Sequence, residues 1–322
     1  MQNISFDYIE NELKKVEEQF EKHLITETPL IHKVAEYVIS SGGKRIRPIL
    51  LIVASKLCGY DGNDHISLAA VIEFIHTATL LHDDVVDNAP LRRGKASANI
   101  IFGNEAAVLV GDYLFAKSFK VLSDINNIKV IKSYSDATTL MAEGEVKELV
   151  KTADIKTGEK DYLDIIIKKT AVLFACASEV GAIIADKEEK CAKKLYDYGL
   201  NIGIAFQLMD DTLDYISDKE FGKFIGNDLK EGKLTLPLIH AIEMANQDEK
   251  EVITNIIYKK RLTSKDLRTV LSLVKSYGSI DYTISKAKDA IKKAKKNLDI
   301  FPDSKYKNSL IDIADYIIDR KL

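Results

Sequence analysis

Three aspartates, Asp83, Asp84 and Asp87, close an apolar run in the stretch "LLHDDVVDNAPLRRG", and a pair of arginines follows them. The preceding "AAVIEFIHTATLL" has helical patterning, so Asp83 and Asp87, four residues apart, share one face a turn apart. Two carboxylates in that position repel each other, and the C-terminal end of a helix disfavours anions. A hard divalent cation relieves both penalties. Magnesium prefers oxygen ligands and binds one or two carboxylates together with substrate phosphates. A solvated helix end is the alternative reading of one such pair. The spacing returns, however, in "NIGIAFQLMDDTLDYISD", as Asp210, Asp211 and Asp214. Two such clusters facing each other would form an acidic mouth able to hold several divalent ions.

Basic residues stand close by. Arg92 and Arg93 follow the first cluster in a loop opened by Pro90 and closed by Gly94. In "SSGGKRIRPILL", Gly42 and Gly43 end one helical pattern, Pro48 can start the next, and Lys44, Arg45 and Arg47 lie between them. A site for a metal alone has no use for neighbouring cations, whereas a metal-bound diphosphate does. Arginine forks match phosphate oxygens, and helix N-termini attract them. Either basic loop alone reads equally as ordinary surface charge. His76 lies seven residues, two helical turns, before Asp83 on nearly the same face; by position it is a core histidine or a binding residue.

The elements that must hold these groups are helices. The chain of 322 residues has only five prolines, with none between Pro90 and Pro237. Long proline-free segments with apolar residues three and four apart suggest stacked helices. In "LIDIADYIIDRKL", Leu310, Ile313, Ala314 and Ile317 line one face; Ile284, Ala287, Ile291, Ala294 and Leu298 do so in "ISKAKDAIKKAKKNL". Lysines cover the opposite face there, as a solvated surface or a nucleic-acid contact. Period-two alternation is nearly absent. The expected fold is all-α, a single domain over 1–322, with enough apolar residues (46%) for a sizeable core. A net charge of −3 gives no sign of nucleic-acid binding. Cys58, Cys176 and Cys191 lack metal-ligand spacing and read as reduced thiols. The N-terminus lacks a secretion pattern, and "TAVLFACASEVGAIIA" is too short to span a bilayer, so a cytoplasmic protein is expected.

Taken together, these blocks resemble the trans-type isoprenyl diphosphate synthases, or polyprenyl synthetases. "LLHDDVVDNAPLRRG" and "GIAFQLMDDTLDY" look like the two aspartate-rich motifs, and "GGKRIRP", "KKTAVLF" and "GNDLKEGKLTLPL" match three further blocks in order. The resemblance implies an all-α homodimer with a deep cavity in each subunit. It also implies condensation of isopentenyl diphosphate with an allylic diphosphate, farnesyl or similar. By motif position, Asp83 and Asp87 would ligate two magnesium ions and Asp210 a third, supported by Asp84, Asp211 and Asp214. Lys44, Arg47, His76 and Arg93 would hold isopentenyl diphosphate; Arg92, Lys169, Thr170, Gln207, Lys223 and Lys233 would face the allylic diphosphate. The catalytic set would be Asp83, Asp87, Asp210, Lys169 and Arg92.

Ala78 and Thr79, one turn before Asp83, would gate the depth of the cavity. In short-chain members an aromatic residue near this position blocks the pocket, and here both residues are small. The expected product is therefore long, heptaprenyl to nonaprenyl with octaprenyl in the middle. Phe115 or Phe119 would form a deeper floor or plain core. "GEVKEL" has Glu148 where many relatives carry glutamine, and "GNDL" has Asn227 where an acidic residue is frequent. Three rival readings remain: a geranylgeranyl or farnesyl synthase, a regulatory subunit without activity, and a terpene cyclase. The retained aspartates and arginines speak against the second. "GGKRIRP" speaks against the third.

Overall fold

The structure is a computed structural model that describes residues 7–216, 226–259 and 261–319. Those residues form sixteen α-helices and one two-residue hairpin, the all-α class expected. In chain order they begin with α1 (Glu10–His23), α2 (Pro29–Ser40), α3 (Ile46–Leu57) and α4 (Asp64–Val86). The hairpin strands β1 (Leu91–Arg92) and β2 (Lys95–Ala96) precede α5 (Ala98–Phe102), α6 (Asn104–Ile125) and α7 (Ile128–Lys151). Then come α8 (Glu159–Ile166), a π-helical segment (Ile167–Ala171), α9 (Val172–Ile184) and α10 (Glu189–Leu213). The chain closes with α11 (Asn227–Lys230), α12 (Leu236–Met244), α13 (Gln247–Ile257), α14 (Ser264–Ser276), α15 (Ser279–Asn297) and α16 (Lys305–Ile318). The residues group into two compact units. One is Met1–Thr138, Cys176–Tyr196 and Phe301–Leu310; the other is Thr139–Ala175, Asp197–Ile300 and Ile311–Leu322.

In the first unit α4 is the central element, packed against α1, α3 and α6. It is apolar nearly all round, which is what a helix buried on several sides requires. Leu68, Ile72, Phe74, Ile75 and Ala78 have no exposed surface. Among the described residues α4 is the one helix long and apolar enough to cross a membrane, but 72% of that window is buried inside the protein.

The hairpin is a departure from the loop expected after Pro90. Leu91 pairs with Ala96 and Arg92 with Lys95, and the turn between them is Arg93-Gly94. Both turn residues have positive φ, 53° and 78°. That is the handedness whose twist matches paired strands, and Gly94 adopts it without steric cost. Two residues per strand are too short to show an alternating pattern. Tyr37 Oη on α2 donates to the Ala96 carbonyl at 2.7 Å and fixes the hairpin in place.

In the second unit α12 packs against α8, α13, α14 and α15. Asn246 with Glu249 starts α13, and Thr263 with Asp266 starts α14, each as a reciprocal capping box. The buried stripe of α15 differs slightly from expectation. Ala287, Ile291, Ala294 and Leu298 are buried, but Thr283 replaces Ile284 on the inner face. Its hydroxyl donates to the Ser279 carbonyl at 2.9 Å, so burying it leaves no polar group unpaired. Leu310, Ile313, Ala314 and Ile317 of α16 are fully buried, as their spacing predicts.

Candidate active site

In the first unit α4 runs without interruption from His76 to Asp83, then closes with Asp87 N donating to the Asp83 carbonyl at 2.8 Å. Asp83 and Asp87 are half-buried, whereas Asp84 is almost wholly buried. Arg92 donates to Asp84 Oδ1 from Nε at 2.8 Å and from Nη2 at 2.5 Å. Burial pushes the Asp84 carboxyl up, and the Arg92 guanidinium pulls it back down. The Asp84 carbonyl accepts from Asn99 Nδ2 at 3.0 Å, which ties α5 to the aspartate turn. Asp84 is thus engaged with an arginine.

The hairpin turn sends the adjacent arginine elsewhere. Arg93 Nη1 lies 3.4 Å from Ser41 Oγ, and its guanidinium sits where a side chain on Gly43 would begin, 3.2 Å away. A methyl on Gly43 would crowd that guanidinium and press it back by a few tenths of an ångström, a closeness that a pattern of loop glycines does not reveal. His76 is held well below the usual histidine range, first by burial and then by Arg47, Arg93, Arg92 and Arg45. Four guanidinium groups and a neutral imidazole therefore share one region of the first unit. Such a cluster is suited to a polyanion. Lys44 is exposed in the connection before α3.

In the second unit Lys169 and Thr170 sit in the π-helical segment. π-Helical turns recur at functional sites because they re-aim side chains that a regular helix would stack. Lys169 Nζ donates to Glu145 Oε2 and to Glu148 Oε2, each at 2.7 Å. Thr170 Oγ1 donates to Gln207 Oε1 at 2.9 Å, and Gln207 Nε2 donates to Asp211 Oδ1 at 2.7 Å. Tyr162 Oη donates to the other oxygen of Asp211 at 2.5 Å. Asp214 accepts from the backbone N–H groups of Asn227 and Asp228, at 3.1 and 3.0 Å, and so caps α11. Asp210, at the same helix end, is exposed.

These groups surround a cavity of about 130 Å³ whose wall includes Glu148, Lys169, Thr170, Gln207, Asp211 and Lys233. Thr157 Oγ1, buried in the same wall, has no hydrogen-bond partner among the described residues. Five residues placed on the allylic diphosphate or the second motif are thereby gathered in one place; Lys223 lies outside the described residues. Tyr162 and Asp228 also line the cavity and were missed by motif reading. Tyr162 stands seven residues before Lys169, the only hint in the sequence, and the π-helical turn between them hides it.

Carboxylate oxygens, the donor type a hard divalent cation prefers, are gathered at the end of α10. Burial pushes Asp211 up to about 7, raises Asp214, and raises Asp228 well above the usual range; Asp228 is raised further by Asp211 and Asp214. Crowded, buried carboxylates of this kind gain most from a nearby cation. Among the described residues no three His, Cys, Asp or Glu side chains form a ready-made cage. Magnesium needs none when substrate phosphates complete its shell.

Two glycines bring helices onto the π-helical segment. A methyl on Gly144 of α7 would lie 2.7 Å from the Lys169 backbone nitrogen, and one on Gly203 of α10 would lie 2.4 Å from Ala171 Cα. Both contacts are with backbone, which cannot swing aside. Gly144→Ala is expected to lower stability by about 1–3 kcal/mol through overpacking and to displace Lys169. Paired thermal melts and kinetics test this: an unchanged melting temperature would refute the close approach.

The polyprenyl synthetase family profile matches residues 28–274. The chain belongs to the polyprenyl synthetase family. This synthetase is an enzyme, a prenyltransferase. It is 41% identical over 312 residues to the octaprenyl diphosphate synthase of Haemophilus influenzae, covering 96% of this chain and 94% of that one. It is also 41% identical over 293 residues to an all-trans-nonaprenyl-diphosphate synthase (geranyl-diphosphate specific) of Rhodobacter capsulatus, covering 90% and 89%. Among solved structures, the synthetase superposes on a polyprenyl synthase from Caulobacter crescentus, complexed with calcium and isoprenyl diphosphate. The TM-score is 0.94 at 41% identity, over 98% of this chain and 97% of that one.

Proposed function

We propose that the chain condenses isopentenyl diphosphate head-to-tail with an allylic diphosphate, repeatedly, to give a long all-trans polyprenyl diphosphate of heptaprenyl to nonaprenyl length, octaprenyl at the centre. The observation that carries this reading is that each aspartate-ended helix is accompanied, in its own unit, by a cluster of basic or amide groups suited to a diphosphate. The small pair Ala78 and Thr79 on α4, and 41% identity to an octaprenyl diphosphate synthase, support the chain length.

In this reading Lys44, Arg47, His76 and Arg93 bind and orient isopentenyl diphosphate. Arg92, Lys169, Thr170, Gln207, Lys223 and Lys233 take the allylic diphosphate. Asp83 and Asp87 hold two magnesium ions and Asp210 a third, while Asp84, Asp211 and Asp214 keep the helix ends in shape. Magnesium, when bound, stabilises the charge that builds on the departing diphosphate. The allylic C1–O bond breaks with its electron pair on the diphosphate, the isopentenyl double bond attacks C1, and a C2 proton leaves to the released diphosphate. The chain's own part is to position two substrates, to hold fixed dipoles and charges around the leaving group, and to exclude water from the carbocation.

The enzyme is proposed to act as a homodimer and as one cytoplasmic domain. Ile100, Ile101, Leu109 and Phe119, 39–66% exposed on α5 and α6, support a self-association face. Four of the five boundaries between the two compact units fall inside helices, the exception being Ile300/Phe301 between α15 and α16, which supports the single domain.

Incubation with farnesyl diphosphate, labelled isopentenyl diphosphate and magnesium, followed by product sizing, tests the reading. Products of seven to nine isoprene units are expected. A product stopping at four units would instead make it a geranylgeranyl synthase, and no elongation would make it a regulatory subunit.

A further inference from the structure

We propose that Arg45 and Glu73 are positioning residues that hold the isopentenyl diphosphate pocket in register, without themselves touching substrate; this rests on the functional reading of the neighbouring basic groups. Arg45 lies between Lys44 and Arg47 and is the N-cap of α3, with φ 49° and ψ 32°. That left-handed conformation is unfavourable for a non-glycine residue, so something must over-determine it. The side chain supplies the reason. Its Nη1 donates to Glu73 Oε2 at 2.6 Å, its Nε to Glu17 Oε1 at 3.1 Å, and its Nη2 to the Ile39 carbonyl at 3.1 Å. Its guanidinium also lies 5.2 Å from the centre of the Phe20 ring. One side chain therefore joins α1, the last turn of α2 and α4 to the start of α3.

Glu73 is the other half of the device. It is 4% exposed, and it stands one turn before His76 on α4. A carboxylate buried this deeply is tolerated only when paired. Its negative charge acts on Arg93 as well as on Arg45, and those two arginines oppose each other. Glu73 is thus the counter-charge that lets several guanidinium groups gather around His76. Because all three kinds of Arg45 nitrogen donate to protein acceptors, the guanidinium is spent on holding the connection. The consequence falls on its neighbours: Lys44 precedes Arg45 on the connection and Arg47 stands in the first turn of α3, and the placement of both depends on Arg45 staying in the left-handed region.

A merely structural ion pair predicts a different outcome from a positioning one, and steady-state kinetics separates them. Arg45→Gln is expected to raise KM for isopentenyl diphosphate about 10-fold while KM for farnesyl diphosphate stays within about 2-fold, since a small misplacement of binding groups is costly only for the ligand they bind. Glu73→Gln should act in the same direction, and the double variant should be no worse than the poorer single one, as for two members of one unit. Arg45→Lys, which keeps the charge but loses the fork, should fall in between, and it serves as the readout if Arg45→Gln does not fold. Equal changes in both KM values, or a lowered melting temperature with neither KM changed, would overturn the proposal. Arg47→Ala, read in parallel, separates the two levels. If it raises KM for isopentenyl diphosphate and the Arg45 variants do not, the positioning role fails alone. If none of them does, the placement of isopentenyl diphosphate fails with it.

Discussion

Asp83→Asn and Asp210→Asn, made separately, are each expected to lower turnover by about 10³-fold, the size of effect seen when one well-placed electrostatic group is lost from a transition state. Stability should not fall with it. Asp83 is half-buried in the last turn of α4, Asp210 is exposed at the end of α10, and an anion at a helix C-terminus is unfavourable in any case. Asp84→Asn should show the opposite balance. It removes the charge that accepts two hydrogen bonds from Arg92 inside the protein, and breaking a buried pair is strongly destabilising. Single-turnover assays with labelled isopentenyl diphosphate, paired with thermal melts, measure both quantities. Turnover within a factor of a few of the parent for Asp83→Asn and Asp210→Asn would remove the basis of the proposed chemistry.

Ala78→Tyr is expected to shorten the product by several isoprene units. Ala78 has no exposed surface and lies just over one turn before Asp83, while Thr79 beside it is half-buried with its hydroxyl donating to the His76 carbonyl at 2.7 Å. A growing tail gains roughly 0.8 kcal/mol for each buried CH₂ group, so elongation continues as long as apolar room is left. A tyrosine ring at 78 occupies that room. Because Ala78 is fully buried, some loss of melting temperature should accompany the larger side chain. Reversed-phase sizing of the products of a folded variant gives the answer, and an unaltered length distribution would show that depth is set elsewhere. Phe119 is a poor candidate for that floor, since it is 39% exposed on α6; the Phe115 ring is stacked on His82, with centroids 6.0 Å apart.

Whereas Lys169, Lys223 and Lys233 came only with the family resemblance, residue type and spacing alone pointed to the all-α class, the two aspartate-ended helices and the basic loops around Arg45 and Arg92. Those features are local. An apolar period of three to four, a scarcity of proline and carboxylates four apart all act within one or two turns, where the sequence is a direct reading of geometry. Tertiary structure decided the rest. Arg92 and Arg93 are adjacent, yet one is turned to Asp84 and the other to Gly43, because a two-residue hairpin separates them. Arg45 read as one more basic residue in a loop, but its acceptor Glu73 is 28 residues away. Tyr162 belongs to none of the sequence motifs, and its partner Asp211 is 49 residues on. Such pairings come from packing between elements, and no periodicity along one helix says which side chain of another it will meet.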